Sequence, residues 1–298
     1  MADVKRDTIT HHLYLKNQLK AGEVVAFPTE TVYGLGASLK HPLAIQKIFQ
    51  LKGRPQDNPL IVHLSSVAEI AHLAIIPEKL TLLEHLWPGP LTVVLTAKEC
   101  VPSIVKGGLS TVGLRIPDHP IALELLREVG PLVAPSANLS GKPSPTEAQH
   151  VREDFPNLPI LDGGPCRVGL ESTILSLVGK PTILRPGAIS KEELEEALGE
   201  EVIFSSSKEA LAPGMKYRHY APEAQLLLFN QVADLEHHLK EFPRKRRVVR
   251  YGVGGQDLYK FLRECDLDCV DEILLLVTES MRCDIALINR LEKASLLK

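Results

Sequence analysis

Apolar runs rich in β-formers alternate along the first half of the chain with segments whose apolar residues recur at helical spacing. The runs are EVVAF (23–27), LIVHL (60–64), LTVVLT (91–96), TVGLRI (111–116) and PLVAPS (131–136), and the helical patterns cover 42–51, 77–87 and 119–129. Strands interleaved with helices predict an α/β fold. Two more strands, STILSLV (172–178) and PTILR (181–185), lead into ISKEELEEAL, where Ser190 can cap a helix and Glu193, three residues on, completes a capping box. A first domain over 7–200 closes on that helix.

Residues 201–224 sustain no period. Within them LAPGMKYRHYAPEA (211–224) gathers two prolines, a glycine, two tyrosines and a histidine, which predicts a linker. Beyond it AQLLLF, RRVVRYGV and DEILLLV alternate with helical segments around 233–241, 257–264 and 281–296. A small C-terminal α/β domain of Rossmann-like plan is therefore predicted over 225–298. YGVGG at 251–255 has neither the spacing of a dinucleotide loop nor the Gly-Lys-Ser/Thr of a phosphate loop, and reads as a turn.

Composition narrows the function classes. With 44% hydrophobic and 24% charged residues in 298, the chain can bury a substantial core, and its net charge of −3 provides no bulk attraction to nucleic acid or membrane. The N-terminus lacks the apolar stretch of a signal peptide, and no window offers ~18 uncharged apolar residues for a membrane span. A cytoplasmic protein is the expectation. Five scattered cysteines, at 100, 166, 265, 269 and 283, argue against a disulfide framework and predict buried, reduced thiols. Cys265, Cys269 and Cys283 lack the partners of a metal site.

The chemistry-bearing residues concentrate in the first domain. FPTETVYGLG (27–36) places two threonine hydroxyls, a carboxylate and two glycines at the exit of a strand, where α/β sheets present ligands. In KGRPQDNPLIVH (52–63), Lys52 and Arg54 stand two residues apart, so an extended segment puts both cations on one side, where an anion relieves their repulsion. In STVGLRIPDHP, Thr111, Gly113 and Arg115 share a strand face, and Arg115 is expected to meet a ligand carboxylate or phosphate rather than a protein one. APSANLSGKPSPT (134–146) supplies hydroxyls and small residues that let the backbone approach a nucleotide. GLESTILSL and ILRPGAIS repeat the design, with Glu171, Ser172 and Thr173 before one strand and Arg185 ending the next. No Ser-His-Asp set, Cys-His nucleophile or metal motif accompanies these anion binders, so positioning and charge stabilisation are the available catalytic means.

Seven segments, PTETVYGLG, KGRPQDNPLIVH, LWPGPLTVVL, TVGLRIPDHP, PSANLSGKPSPT, LESTILSL and LRPGAIS, together resemble the YrdC-like domain of the threonylcarbamoyl-AMP synthase family, in the family's order. APGMKYRHYAP and ALINRLEKAS resemble the linker and C-terminal end of its longer, two-domain branch, although the stretch 225–298 is shorter than that branch's usual second domain. The resemblance implies a twisted open sheet with helices around a basic cavity. It implies an L-threonylcarbamoyladenylate synthase, a nucleotidyltransferase converting L-threonine, bicarbonate and ATP into threonylcarbamoyl-AMP, pyrophosphate and water for the t6A modification of tRNA. The tRNA and the threonylcarbamoyl transferase machinery are candidate partners.

Carried over residue by residue, the resemblance assigns Thr31, His63, Arg115, the backbone of Ala134 and Ser172 to threonine. It assigns Lys52, Arg54, Asn58, Thr111, Ser136, Asn138, Ser144 and Arg185 to the nucleotide, with Lys52 and Arg54 also neutralising charge that develops in the reaction. Mg²⁺ is expected with ATP, held by phosphate oxygens rather than by a metal site of the protein. His63 has a second reading as a satisfied core histidine. No general base stands out. Tyr217, His219 and Tyr220 of the linker are read as a lid over the site, with a rigid spacer as the alternative.

A rival from another class is a non-catalytic module that binds double-stranded RNA or tRNA in ribosome maturation. Lys52, Arg54 and RKRR (244–247) favour it. The acidic balance and the absence of aromatics interleaved with the basic residues weigh against it.

Overall fold

The structure is a computed structural model that describes residues 12–206, 211–213, 219–242 and 246–295. A helix over 12–20 (α1) leads into β1 (Val25–Phe27), β2 (Gly34–Ser38), α2 (Pro42–Lys52), β3 (Ile61–His63), α3 (Ile70–Leu73), β4 (Leu91–Thr96), α4 (Ser103–Lys106) and β5 (Thr111–Arg115). There follow α5 (Pro120–Val129), β6 (Leu132–Val133), α6 (Ala148–Asp154), β7 (Thr173–Ser176), β8 (Thr182–Arg185), α7 (Lys191–Leu198) and β9 (Ile203–Phe204). The C-terminal unit comprises β10 (Gln225–Phe229), α8 (Val232–Glu241), β11 (Arg247–Tyr251), α9 (Gly255–Leu267), β12 (Glu272–Leu276), α10 (Glu279–Arg282) and α11 (Ile285–Ser295).

Nine strands form one open mixed sheet in the order β1-β2-β6-β3-β5-β4-β7-β8-β9, and three parallel strands form a second, β10-β12-β11. The α/β class read from the alternating pattern is the class observed. Several elements differ from the pattern. FPTETVYGLG is an antiparallel hairpin whose second arm is β2, with Ala26 opposite Leu35. The helix expected over 77–87 is a 3₁₀ helix, Glu78–Leu86. Its apolar residues Leu80, Leu83 and Leu86 recur every three positions, the period that a 3₁₀ turn stacks on one face. The segment 281–296 is two helices, α10 and α11. At Ser190 the capping box forms as the sequence predicts: Glu193 N donates to Ser190 Oγ at 3.1 Å, and Ser190 N donates to Glu193 Oε2 at 2.7 Å.

The two units share apolar packing. Val32 and Leu170 of the first belong to the same buried cluster as Leu258, Tyr259 and Leu262 of α9 and Tyr220 of the linker. Gly169 makes this closeness possible: its φ is +76°, and a Cβ there would lie 2.5 Å from Gln256 Cα. The cysteines divide. Cys166 and Cys265 are buried, with burial pushing the Cys166 thiol up to about 12, whereas Cys100, Cys269 and Cys283 are exposed, which corrects the expectation of uniform burial. Cys269 sits in the turn after α9 and Cys283 between α10 and α11, where chain ends face outward. Among the described residues, no helix is long and apolar enough to cross a membrane.

Candidate active site

Polar side chains form a row across the middle of the large sheet. Strand register places His63 beside Arg115, and Arg115 beside Thr92, and residues in register project from the same face. Ser172, just before β7, extends the row, with its Oγ 2.8 Å from Thr92 Oγ1. All four are buried. His63, Arg115 and Ser172 line a cavity that encloses, with its mouth, about 710 Å³.

Arg115 has a protein partner that the sequence reading did not name. Its Nη2 lies 2.6 Å from Glu30 Oε1, and both side chains are buried. A guanidinium inside an apolar sheet needs a counter-charge of its own before any ligand arrives. The contact is off the N–H axis, so Nε and Nη2 have no aligned hydrogen bond and remain able to donate. Burial and the neighbouring Arg115 push His63 down to about 3, so its ring is neutral; its Nδ1 has no hydrogen-bond partner. Thr29 lines the cavity, and Thr31 lies behind it with the two Oγ1 atoms 2.9 Å apart.

The facing wall is cationic. Lys52 is the last residue of α2 rather than part of an extended segment, because the chain turns at Gly53 before Arg54. This corrects the same-strand geometry expected for the pair while keeping both in the cavity. Lys52 Nζ donates to Ser136 O (2.5 Å) and Asn138 O (2.6 Å), Arg54 Nη2 to Pro59 O (2.8 Å), and Arg185 Nη2 to Ser172 O (3.0 Å). Burial and the Arg54 charge hold Lys52 well below the usual lysine range. Among the described residues, neither Lys52 nor Arg185 touches a carboxylate, so both basic groups are fixed in place without a neutralising contact.

Ala134, Ser136 and Asn138 complete that side. Ser136 Oγ donates to Asn138 Oδ1 at 2.5 Å, and Asn138 Nδ2 donates to the carbonyls of Leu139 (2.7 Å) and Lys142 (2.9 Å), which shapes the loop after β6. Besides Thr31, three expected residues stand outside the lining. Asn58 is buried beside it with Oδ1 unpartnered. Thr111 faces a smaller neighbouring cavity with Ala212 and Pro213. Ser144 is buried behind the lining residue Glu171, its Oγ donating to Glu171 Oε1 at 2.6 Å. From the linker, Pro213, His219 and Tyr220 border the cavity, and Tyr217 lies outside the described residues. Burial and Arg54 push His219 down to about 3.

Sequence reasoning gave no role to Glu30, Thr92 or Glu171. Thr92 left a signal as a polar residue early in the apolar run LTVVLT. Glu30 and Glu171 stood out only as members of polar clusters beside strands, and the fold shows that each is buried against an arginine.

Two family models match the chain: one described as telomere recombination (Sua5, YciO and YrdC) over residues 17–187, and one described as threonylcarbamoyl-AMP synthase, C-terminal domain, over 189–295. The chain belongs to the threonylcarbamoyl-AMP synthase family. It is 43% identical to the threonylcarbamoyl-AMP synthase of Pyrococcus abyssi over 93% of this chain and 92% of that one. It is 42% identical to that of Bacillus subtilis over 93% of this chain and 90% of that one. The crystal structure of P. abyssi Sua5 complexed with L-threonine superposes with a TM-score of 0.88 at 40% identity, covering 97% of this chain and 94% of that one. As a family member the chain is an enzyme of transferase type.

Proposed function

We propose that the chain is an L-threonylcarbamoyladenylate synthase, a nucleotidyltransferase acting in the cytoplasm that joins L-threonine, bicarbonate and ATP to give threonylcarbamoyl-AMP, pyrophosphate and water for t6A modification. The observation that carries this reading is one cavity with a hydroxyl-and-guanidinium floor facing three buried cations, Lys52, Arg54 and Arg185. The L-threonine in the P. abyssi structure supports it. In this reading Arg115 takes the threonine carboxylate, Ser172 and Thr31 read its hydroxyl, and His63 and the Ala134 backbone close round it. Lys52, Arg54 and Arg185 take the phosphates, with Asn58, Thr111, Ser136, Asn138 and Ser144 shaping the nucleotide end.

The chemistry follows from that charge distribution. A positive cavity lowers the pKa of the threonine ammonium, raising the share of neutral amine. His63 and His219, both at about 3, are poor proton acceptors, so the proton leaves to solvent. The amine nitrogen bonds to the bicarbonate carbon and water departs, leaving a carbamate. A carbamate oxygen then attacks the α-phosphorus, the bond to the β-phosphate oxygen breaks, and pyrophosphate leaves against Lys52 and Arg54. Closure of the linker would keep the carbamate from bulk water.

Magnesium would arrive on the nucleotide. Among the described residues, no three His, Cys, Asp or Glu side chains converge to hold an ion, and the Glu171 oxygens are engaged by Ser144, Tyr259 and Arg290. Phosphate oxygens and water are its ligands in this proposal. The RNA-module reading is disfavoured by burial. Lys52 and Arg54 are 3% and 8% exposed, beyond the reach of an RNA backbone, and Arg247 is spent on Glu272 at 2.7 Å. The deciding experiment measures pyrophosphate release, which should require threonine and bicarbonate together; release that ignores either substrate refutes the proposal.

A further inference from the structure

Glu171 immediately precedes Ser172 and is gripped from both units of the chain. Ser144 Oγ donates to its Oε1 at 2.6 Å. From α9, Tyr259 OH donates to Oε2 at 2.8 Å, and from α11, Arg290 Nε donates to Oε2 at 3.0 Å. Arg290 Nη1 also donates to Pro186 O at 2.8 Å, which ties the turn after β8 to the same point. Arg290 is fully buried, and Tyr259 is likewise. Burial alone would raise the Glu171 pKa, but Arg290, Arg185 and the hydrogen bonds reverse that and hold it at about 2.

The same two residues hold the linker. Tyr220 stacks on Tyr259 with ring centroids 5.6 Å apart, and the Arg290 guanidinium lies 5.3 Å from the Tyr220 ring centre. Tyr220 has φ +66°, a backbone conformation that a bulky residue adopts only where its surroundings hold it. Gly187 lets the turn after β8 lie against the start of β7: a Cβ there would come 2.2 Å from Thr173 N.

We propose that Tyr259 and Arg290 are positioning residues for the active site, acting through two groups that border the cavity, Glu171 and Tyr220. Fixing Glu171 fixes Ser172 beside it and the Ser144 hydroxyl that ends the nucleotide loop. Fixing Tyr220 fixes the part of the linker, His219 and Tyr220, that borders the cavity. The C-terminal unit thus builds part of a site to which, among the described residues, it contributes no lining residue. The inference rests on the proposed function for its kinetic consequence, and on geometry alone for its structural one.

The test uses the full chain with Tyr259→Phe, which removes the hydroxyl and keeps the ring under Tyr220, and Arg290→Lys, which keeps a charge and loses the fork. Three quantities are read: the melting temperature, hydrogen exchange at 139–144 and 219–222, and kcat and KM for ATP. The expected result is faster exchange at both segments and kcat/KM for ATP lower by about tenfold, the order of one lost charge-assisted hydrogen bond, in variants that still melt cooperatively. Unchanged exchange and kinetics in both folded variants overturn the proposal. Should Arg290→Lys fail to fold, Tyr259→Phe alone decides. A parent chain that releases no pyrophosphate refutes the functional reading, while the exchange comparison still decides the positioning role.

Discussion

Arg115 Nη2 lies 2.6 Å from Glu30 Oε1 at the centre of the large sheet, with both side chains inside the protein. Removing one partner of such a pair strands a buried charge, at a cost of ~3–5 kcal/mol. Glu30→Gln should therefore destabilise the ligand-free chain by about that much. Threonine should restore part of the loss, because its carboxylate would supply the missing counter-charge to Arg115. Thermal melts with and without threonine check this: the ligand-induced rise in Tm should be larger in Glu30→Gln than in the parent. An equal or smaller rise removes Arg115 from the threonine site.

Lys52 does two things at once, which alters what its replacement should show. Its ammonium holds the carbonyls of Ser136 and Asn138 as well as facing the cavity. Lys52→Met keeps the stem and removes the charge, so kcat/KM for ATP should fall by ~1.5–3 kcal/mol, about one to two decades, with a modest drop in Tm from the loosened loop. Arg54→Met should give a loss of similar size. Kinetics near the parent's in both variants would dismiss the phosphate-binding assignment.

Discrimination among amino acids tests the hydroxyl floor. Serine lacks one methyl group, which a pocket distinguishes by only ~1–3 kcal/mol, whereas valine leaves the Thr92–Ser172 and Thr29–Thr31 hydroxyls facing a methyl. Relative kcat/KM should run threonine, then serine, then valine, with valine far behind. Equal use of valine and threonine is incompatible with a hydroxyl-reading site.

Buried histidines set the response to acid. His63 and His219 are pushed down to about 3 and His150 to about 4, in each case chiefly by burial. His150 accepts the Thr146 N–H at its Nδ1, which requires the neutral ring. A group whose folded pKa lies below its unfolded value of about 6.5 contributes in full above that pH and loses its contribution as pH falls toward the folded value. Glu171, held at about 2, adds a second loss below the unfolded carboxylate value of about 4.3. Urea midpoints should fall steadily from about pH 6.5 to about pH 4.5, less steeply in His150→Gln. A flat profile over that range contradicts the neutral burial of these rings.

The legible parts of the molecule are those that local chemistry dictates. Ser190 and Glu193 announced a helix start because a capping box needs only neighbouring residues. LTVVLT announced β4 because a buried strand is a continuous apolar run. Arg115, Lys52 and Arg54 drew notice as charges beside strands, and the fold does bring them to one cavity. What stayed hidden depends on contacts distant in sequence. The Glu30 partner of Arg115 is 85 residues away, since 115 − 30 = 85, and the Arg290 partner of Glu171 is 119 residues away. A buried carboxylate and a solvated one are spelled alike.

The linker borders the cavity through Pro213, His219 and Tyr220, so a movement of these residues would change the access that substrates have to it. Tyr220 is also held in a left-handed backbone conformation by its stacking on Tyr259. A strained residue held by contacts of only a few kcal/mol is suited to release and recapture. Trypsin has two sites in this stretch, Lys216 and Arg218. If closure accompanies binding, cleavage there should slow by about tenfold or more when threonine and a nonhydrolysable ATP analogue are present together, and much less with either alone, because cleavage follows the open population. Identical cleavage rates with and without both ligands would make the linker a tether rather than a lid.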